Sequence, residues 1–300
     1  FERAQKLARD GRFTLAEAMR MLLGQSSETG DSRAWAGAVS CGTWLKDILD
    51  KLGEPARLEP VAPPRGLKAA LRPYQEAGLS WLVFLHDLGF GPCLADDMGL
   101  GKTVQVLALL QYLKERGDAS YGPSLLIVPA SLIGNWLDEA ARFTPELRLF
   151  VLHAQAGKSG GASQLDAERE KHDIVLTTYG TARENEWLTK REWFYAILDE
   201  AQAIKNPAAG QTRSIKAIPA RHHLVLTGTP IENRLGDLWS LFDFLNKGLL
   251  GSAHSFKQFA ASLEKNPEGY ARLRGTIRPC ILRRMKTDKR VIADLPEKTE

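Results

Sequence analysis

Cysteine is scarce in this chain of 300 residues: Cys41, Cys93 and Cys280 stand far apart, and no Cys-x-x-Cys occurs. Such spacing offers neither a disulfide framework nor a zinc site, and predicts reduced, buried or half-buried thiols in a cytosolic protein. Long apolar runs are lacking too. None reaches the roughly 18 residues that a membrane span needs, and the first residues, FERAQKLARDGRF, are charged where a secretory signal would be apolar. No membrane partner is therefore expected. Neither charge dominates: 36 acidic residues against 40 basic leave a formal net charge of +4, which permits a basic nucleic-acid-binding face without arguing for one. The chain begins at Phe1 and not at Met, so the expectation is a piece of a longer protein.

What is present is a globular composition, 44% apolar and 25% charged, with length for one large or two ordinary domains. Residues 1–65 stand apart. Thr14 and Glu17 have capping-box spacing ahead of Leu15, Ala18, Met19 and Leu22, which share one helical face before Gly24. A Gly/Ser-rich stretch, a second short helix over 44–52 and the proline-rich run EPARLEPVAPPRG follow, the last reading as a linker. No chemistry is evident in this accessory segment. From Leu67 onward, CLADDM, LLIVP, LRLFVLH, DIVLTTY, FYAILDE and HLVLTGT alternate with helical stretches, one over 103–116 and one through Trp136 and Phe143. That alternation predicts an α/β fold, a parallel sheet with helices on both faces, whose ligands bind beyond the carboxyl ends of the strands. Residues 235–275 read as helix and loop, followed by the apolar and basic run ILRRMKTDKR.

ADDMGLGKT follows a strand and opens a helix, as a phosphate-binding loop requires. Gly99 and Gly101 let backbone N–H groups approach phosphate oxygens at a helix N-terminus. Lys102 would neutralise the β- and γ-phosphates, and the Thr103 hydroxyl would ligate magnesium. Asp96 stands where the strict loop pattern has glycine, so the match is partial. A second GKS, at Gly157–Ser159, lies in the Gly/Ser-rich stretch AGKSGGAS with no helix expected directly after it, and reads as a surface loop.

FYAILDEAQ is an apolar strand ending in paired acids, about 100 residues beyond the phosphate loop. Asp199 at that tip suits magnesium, and Glu200 suits orienting or deprotonating the attacking water. Phosphoryl transfer needs no covalent protein intermediate, so such a site works by positioning and charge neutralisation.

LRPYQ at 71–75, DDMGLGKT at 96–103, PASLIGNW at 129–136, LTTYGT at 176–181, DEAQ at 199–202 and LTGTPIENRLGDLWSLFDFL at 226–245 occur in the order found in Swi/Snf-type ATPases. These are a branch of helicase superfamily two, and residues 66–300 resemble their first RecA-like lobe, a P-loop NTPase fold. The segment upstream resembles the bacterial version. The resemblance implies ATP and Mg2+ as cofactors, and a nucleotide site of Arg72, Gln75, Asp96, Asp97, Met98, Gly99, Leu100, Gly101, Lys102 and Thr103, with Gln75 reading the adenine edge. Thr103 and Asp199 would hold the metal. Glu200, Asp199 and Gln202, the last standing where many relatives have histidine, would serve hydrolysis and link to Thr227, Gly228 and Thr229. Ser131, Asn135, Thr178 and Tyr179 would face the nucleic-acid backbone; Trp136 reads as core packing. Lys286, Lys289 and Arg290 are candidates for DNA contact or a solvated basic stretch. Residues 235–275 resemble a helical protrusion of the lobe.

The function implied is that of a motor translocating on double-stranded DNA and remodelling protein–DNA complexes, in a bacterial cytoplasm near the nucleoid. A strand-separating helicase and a non-cycling nucleotide-gated scaffold remain as alternatives. Nothing after Thr227 resembles the motifs of a second lobe, whose arginines in this family stabilise the transferring phosphoryl group, a contribution on the order of 10³–10⁵ in rate. Residues 1–300 alone should therefore bind Mg-ATP weakly and hydrolyse it slowly. Steady-state ATPase assays with and without duplex DNA check this, and robust DNA-stimulated turnover would refute it.

Overall fold

A computed structural model describes residues 58–117, 122–153, 162–228, 235–263 and 267–288. The two helices expected before residue 58 lie outside the described residues. In chain order the elements are α1 (Pro73–Leu88), β1 (Cys93–Leu94), α2 (Lys102–Arg116), β2 (Ser124–Val128), α3 (Ile133–Phe143), β3 (Leu149–Val151), α4 (Ala162–Lys171), β4 (Ile174–Thr178), α5 (Tyr179–Glu184), β5 (Trp193–Leu198), α6 (Gly210–Lys216), β6 (Ala220–Leu226), α7 (Leu235–Leu245), α8 (Ala253–Leu263), α9 (Pro267–Ile277) and β7 (Ile281–Leu282). No described helix is long and apolar enough to cross a membrane.

The strands form one seven-stranded sheet in the order β3-β4-β2-β5-β6-β1-β7, parallel at every pairing. Each strand residue points opposite to its neighbour, and the core records this. Leu126, Val128, Ile174, Leu176, Ile197, Leu224 and Leu226 join one apolar cluster, with α1, α2 and Trp136 of α3. Leu125, Ile127, Val175, Ala196, Leu198 and Val225, alternating with them, join a second cluster with Tyr179 of α5 and Ile215 of α6. Burial on both faces explains why these strands read as unbroken apolar runs. The register aligns the carboxyl ends: Val128 pairs with Thr178, Leu198 with Val225 and Leu94 with Leu226.

Several boundaries differ from the sequence-based expectation. The proline-rich run is no free linker over its described part: Leu58 is buried in the core, Val61 N–H donates to Ser80 Oγ at 2.9 Å, and the N–H groups of Arg65 and Gly66 donate to the Glu115 carboxylate. CLADDM pairs only over Cys93–Leu94. A helix, α4, begins three residues after Ser159, closer to the second GKS than expected; residues 154–161 lie outside the described set. The stretch 235–275 is helical, but α7 is built into the lobe, with Leu238 and Phe242 in one core cluster and Leu241 and Phe244 in the other. ILRRMKTDKR contributes a seventh strand, β7, beside β1. Cys93 and Cys280 are buried free thiols, pushed up to about 12 by that burial.

Ile197, on the central strand β5, has no solvent exposure. Its replacement by alanine leaves a void that the sheet cannot collapse around, so Ile197→Ala should cost about 2–5 kcal/mol in chemical denaturation. A loss below about 1 kcal/mol, the size of one buried methylene, would contradict that packing.

Candidate functional site

The carboxyl ends of β1 and β5 open onto a cavity of about 840 Å³ lined by Arg72, Gln75, Met98, Gly99, Gly101, Lys102, Thr103, Asn135, Glu139, Asp199 and Glu200, among others. After β1 the chain makes a tight loop, with Gly99 at φ +79° and Gly101 at φ +75°. The left-handed region suits glycine, and at Gly101 space demands it as well, since a Cβ there would lie 2.4 Å from Gln75 Nε2. Gly101 caps α2, whose first turn has no acidic residue, so its N–H groups and dipole favour an anion. Lys102 Nζ donates to the main-chain carbonyls of Asp96, at 2.7 Å, and Asp97, at 3.4 Å. Gln75 is buried; its Oε1 accepts from Arg72 N–H at 2.9 Å and its Nε2 donates to Leu100 O at 3.2 Å. An amide has two protons and two lone pairs, so one of each remains for an incoming base.

Three residues expected in this wall belong beneath it. Asp96 is fully buried and paired with Arg284, whose Nε donates to Asp96 Oδ1 at 2.9 Å and whose Nη2 contacts both Asp96 Oδ2 and Gln105 Oε1. An isolated buried carboxylate is costly, so the guanidinium takes that side chain instead of a ligand. Asp97 Oδ2 accepts from Lys286 N–H at 2.9 Å, and Leu100 is buried with its carbonyl held by Tyr74 and Gln75. Gly78 on α1 makes room for this cluster: a Cβ there would fall 2.0 Å from Gln105 Oε1. Lys286 lies with its ammonium beside Gly99; Lys289 and Arg290 lie outside the described residues.

Asp199, at the tip of β5, is nearly buried. Its Oδ2 accepts from Trp136 Nε1 at 2.9 Å and its Oδ1 from Glu200 N–H at 2.9 Å, while its carbonyl accepts from Tyr179 Oη at 2.7 Å. Each carboxylate oxygen keeps a lone pair. Burial raises the Asp199 carboxyl above its ordinary range, reinforced by the charge of Glu200 and opposed by the Trp136 hydrogen bond and Lys102. Glu200 is the only non-glycine with positive φ among the described residues, at 50°. That conformation costs about 1–2 kcal/mol and marks a turn that chain connectivity alone would not select. Gln202, exposed, donates from Nε2 to Glu200 Oε2 at 2.9 Å. Among the described residues no three His, Cys, Asp or Glu side chains form a metal cage. Thr103 and Asp199 instead fit a hard cation that takes its remaining oxygens from water and phosphate, as magnesium does.

The residues expected to face nucleic acid divide. Ser131 is exposed just beyond β2, and Thr178 at the end of β4 caps α5, accepting from Thr181 N–H at 3.2 Å. Asn135 instead lines the cavity, donating to Glu139 Oε1 at 2.9 Å. Tyr179 is only 7% exposed and spends its hydroxyl on Asp199, so it faces the core. Trp136 is 1% exposed and is both core and the donor that fixes Asp199. Thr227 is buried, with its N–H on Leu94 O at 3.2 Å, and Gly228 sits beside Met98 of the phosphate loop; Thr229 lies outside the described residues. Arg284, Glu139 and Gly78 went unnoticed in the sequence. For Arg284 the available signal was the acid at position 96 in place of glycine.

Comparison with known proteins agrees with this geometry. Residues 74–300 match the SNF2-related domain. The chain is 42% identical over 281 residues to a putative ATP-dependent helicase/translocase, YwqA, of Bacillus subtilis, covering 92% of this chain and 30% of that protein. It is 34% identical over 278 residues to the TATA-binding protein-associated factor mot1 of Schizosaccharomyces pombe, covering 84% and 14% respectively. The fold is similar to the Sulfolobus solfataricus SWI2/SNF2 ATPase core in complex with dsDNA, with TM-score 0.72 and 44% identity over 79% of this chain and 49% of that one. The chain thus spans less than a third of these two relatives.

Removing one partner of a buried ion pair strands the other charge. Arg284→Met should therefore destabilise the chain by about 3–5 kcal/mol in denaturant titrations, and adding Asp96→Leu should recover most of that loss. A double variant no more stable than Arg284→Met alone would show that stranded charge is not the cause.

Proposed function

The chain belongs to the SNF2-related family, and we propose that it is the ATP-binding lobe of a motor that translocates on double-stranded DNA and remodels protein–DNA complexes. One observation carries this reading: Lys102, Thr103, Asp199 and Glu200, drawn from two separate strand ends, line the same cavity. Gln75 and Arg72 bind the base at one end. The N–H groups around Gly99 and Gly101 and the N-terminus of α2 cradle the phosphates, and Lys102 exchanges its loop carbonyls for phosphate oxygens. Thr103 and Asp199 hold Mg2+, which when bound neutralises charge on the phosphates. Glu200 orients the attacking water and accepts its proton at a carboxylate oxygen, with Gln202 holding that carboxylate in place. Glu200's strained backbone serves this role by turning the side chain into the cavity.

On the DNA side, Ser131 and Thr178 supply neutral hydroxyls to the phosphate backbone, contacts that position without reading sequence. Val128 and Thr178 are paired in register, which sets these two motifs next to each other along the sheet edge. Thr227 and Gly228, with Thr229, couple the nucleotide to the rest of the motor. The partners are duplex DNA, a second lobe of the full-length protein that supplies arginines to the transition state, and a DNA-bound protein complex. The setting is a bacterial cytoplasm. The relatives' printed functions support this assignment: one is an ATP-dependent helicase/translocase, another a factor associated with a DNA-binding protein, and the solved core holds dsDNA.

In the full-length protein, Lys102→Ala should abolish nucleotide-dependent activity. Glu200→Gln should leave ATP binding within about twofold while lowering hydrolysis by 10²-fold or more, on the order of a lost general base. Filter binding of radiolabelled ATP and DNA-stimulated phosphate release separate the two. Retained turnover in Glu200→Gln would dismiss Glu200 as the base, and ATP turnover unaffected by duplex DNA would dismiss the motor reading.

A further inference from the structure

Helix α3 enters the cavity at two points that its expected role as a nucleic-acid motif does not explain. Asn135 and Glu139, four residues apart, share one helical face and both line the cavity. Asn135 Nδ2 donates to Glu139 Oε1 at 2.9 Å. The Thr103 hydroxyl of the phosphate loop also donates to the Glu139 carboxylate. One residue after Asn135, Trp136 turns to the other side and donates to Asp199 Oδ2. A single helix therefore touches both Thr103 and Asp199, the two protein groups that fit magnesium.

A threonine hydroxyl has one proton and two lone pairs, and its rotor is free unless the proton has an acceptor. Ligation of a cation uses a lone pair, so the proton must point elsewhere. Metal sites commonly hold their ligands through such outer hydrogen bonds. We propose that Glu139 is a positioning residue of the magnesium site: it takes the Thr103 hydroxyl proton, turns the oxygen lone pair into the cavity, and is itself held by Asn135. Trp136 does the corresponding work for Asp199, so α3 braces both halves of the site. This rests on the reading of Thr103 and Asp199 as magnesium ligands. Glu139 touches no phosphate and acts only through Thr103.

The test is a magnesium titration of the full-length protein at fixed fluorescent ADP, with nucleotide affinity measured separately in EDTA. Glu139→Ala should raise the magnesium midpoint about tenfold, the lower end for loss of an outer-shell partner, while affinity in EDTA stays within about twofold. Glu139→Gln keeps a carbonyl acceptor and should recover most of the shift. Thr103→Ala should raise the midpoint at least as far, and Glu139→Ala added to it should do nothing more, because Glu139 has lost the group it works through. If Thr103→Ala leaves the midpoint unchanged, the underlying reading of Thr103 as a ligand fails. If Thr103→Ala shifts it but Glu139→Ala does not, or if Glu139→Ala weakens binding equally in EDTA, the role assigned to Glu139 is overturned while the ligand reading stands.

Discussion

Asp96 carries a carboxylate with no solvent exposure, directly before the loop that faces the cavity, and the Arg284 guanidinium is what makes that position tenable. Burying a lone carboxylate costs several kcal/mol, and only a partner with good geometry offsets it. Arg284 supplies that geometry from Nε, from Nη2 and from its own N–H on Asp96 Oδ1. The same guanidinium reaches Gln105 on α2 and Tyr74 on α1. Loop, both flanking helices and the last strand are thereby tied through one side chain. The loop needs this support because β1 is only two residues long and offers little ladder to hold its end.

The carboxylate end of the site is built by a different device. Asp199 and Glu200 are adjacent, and two like charges on one strand tip repel. Trp136 and the Glu200 N–H each take one oxygen of Asp199, and Tyr179 takes its carbonyl, so Asp199 is fixed while Glu200 is turned away by a left-handed backbone. Rigid Asp199 and strained Glu200 are two halves of one arrangement. A cation beside Asp199 would favour its charged form, opposing the effect of burial.

Much of this was readable in the chain. LLIV and FYAIL are buried on both sheet faces, and two-faced burial writes itself as an unbroken apolar run. The phosphate loop and the acids at 199–200 were readable because their chemistry is local: glycine beside lysine, and acid after a strand. What was not readable is what depends on distance or direction. Arg284 lies 188 residues from Asp96, and nothing in ILRRMK announces which arginine folds inward. Ser131, Asn135, Thr178 and Tyr179 share motifs but not directions: Asn135 turns to the cavity and Tyr179 to the core. Four-residue spacing between Asn135 and Glu139 was in view, yet periodicity specifies a shared face without naming what that face meets. The short pairings of β1 and β7 failed as strand signals because two residues carry no period.

β1 lies between β6 and β7, and the continuations of both neighbours meet the phosphate loop. On one side Thr227 N–H bonds to Leu94 O and Gly228 approaches Met98. On the other, Ala95 N–H bonds to Leu282 O, Asp97 N–H to Arg284 O and Lys286 N–H to Asp97 Oδ2. A short strand flanked in this way cannot shift its loop without loading both neighbours, because packed interiors transmit displacement instead of absorbing it. Lys102 now rests on the carbonyls of Asp96 and Asp97, the same two residues held by the segment after β7. When that ammonium turns to a phosphate, it releases the carbonyls of the pair of residues that Arg284 and Lys286 grip. Nucleotide arrival is thus felt first at residues 96–97, and passes from there to 227–228 on one side and 282–286 on the other.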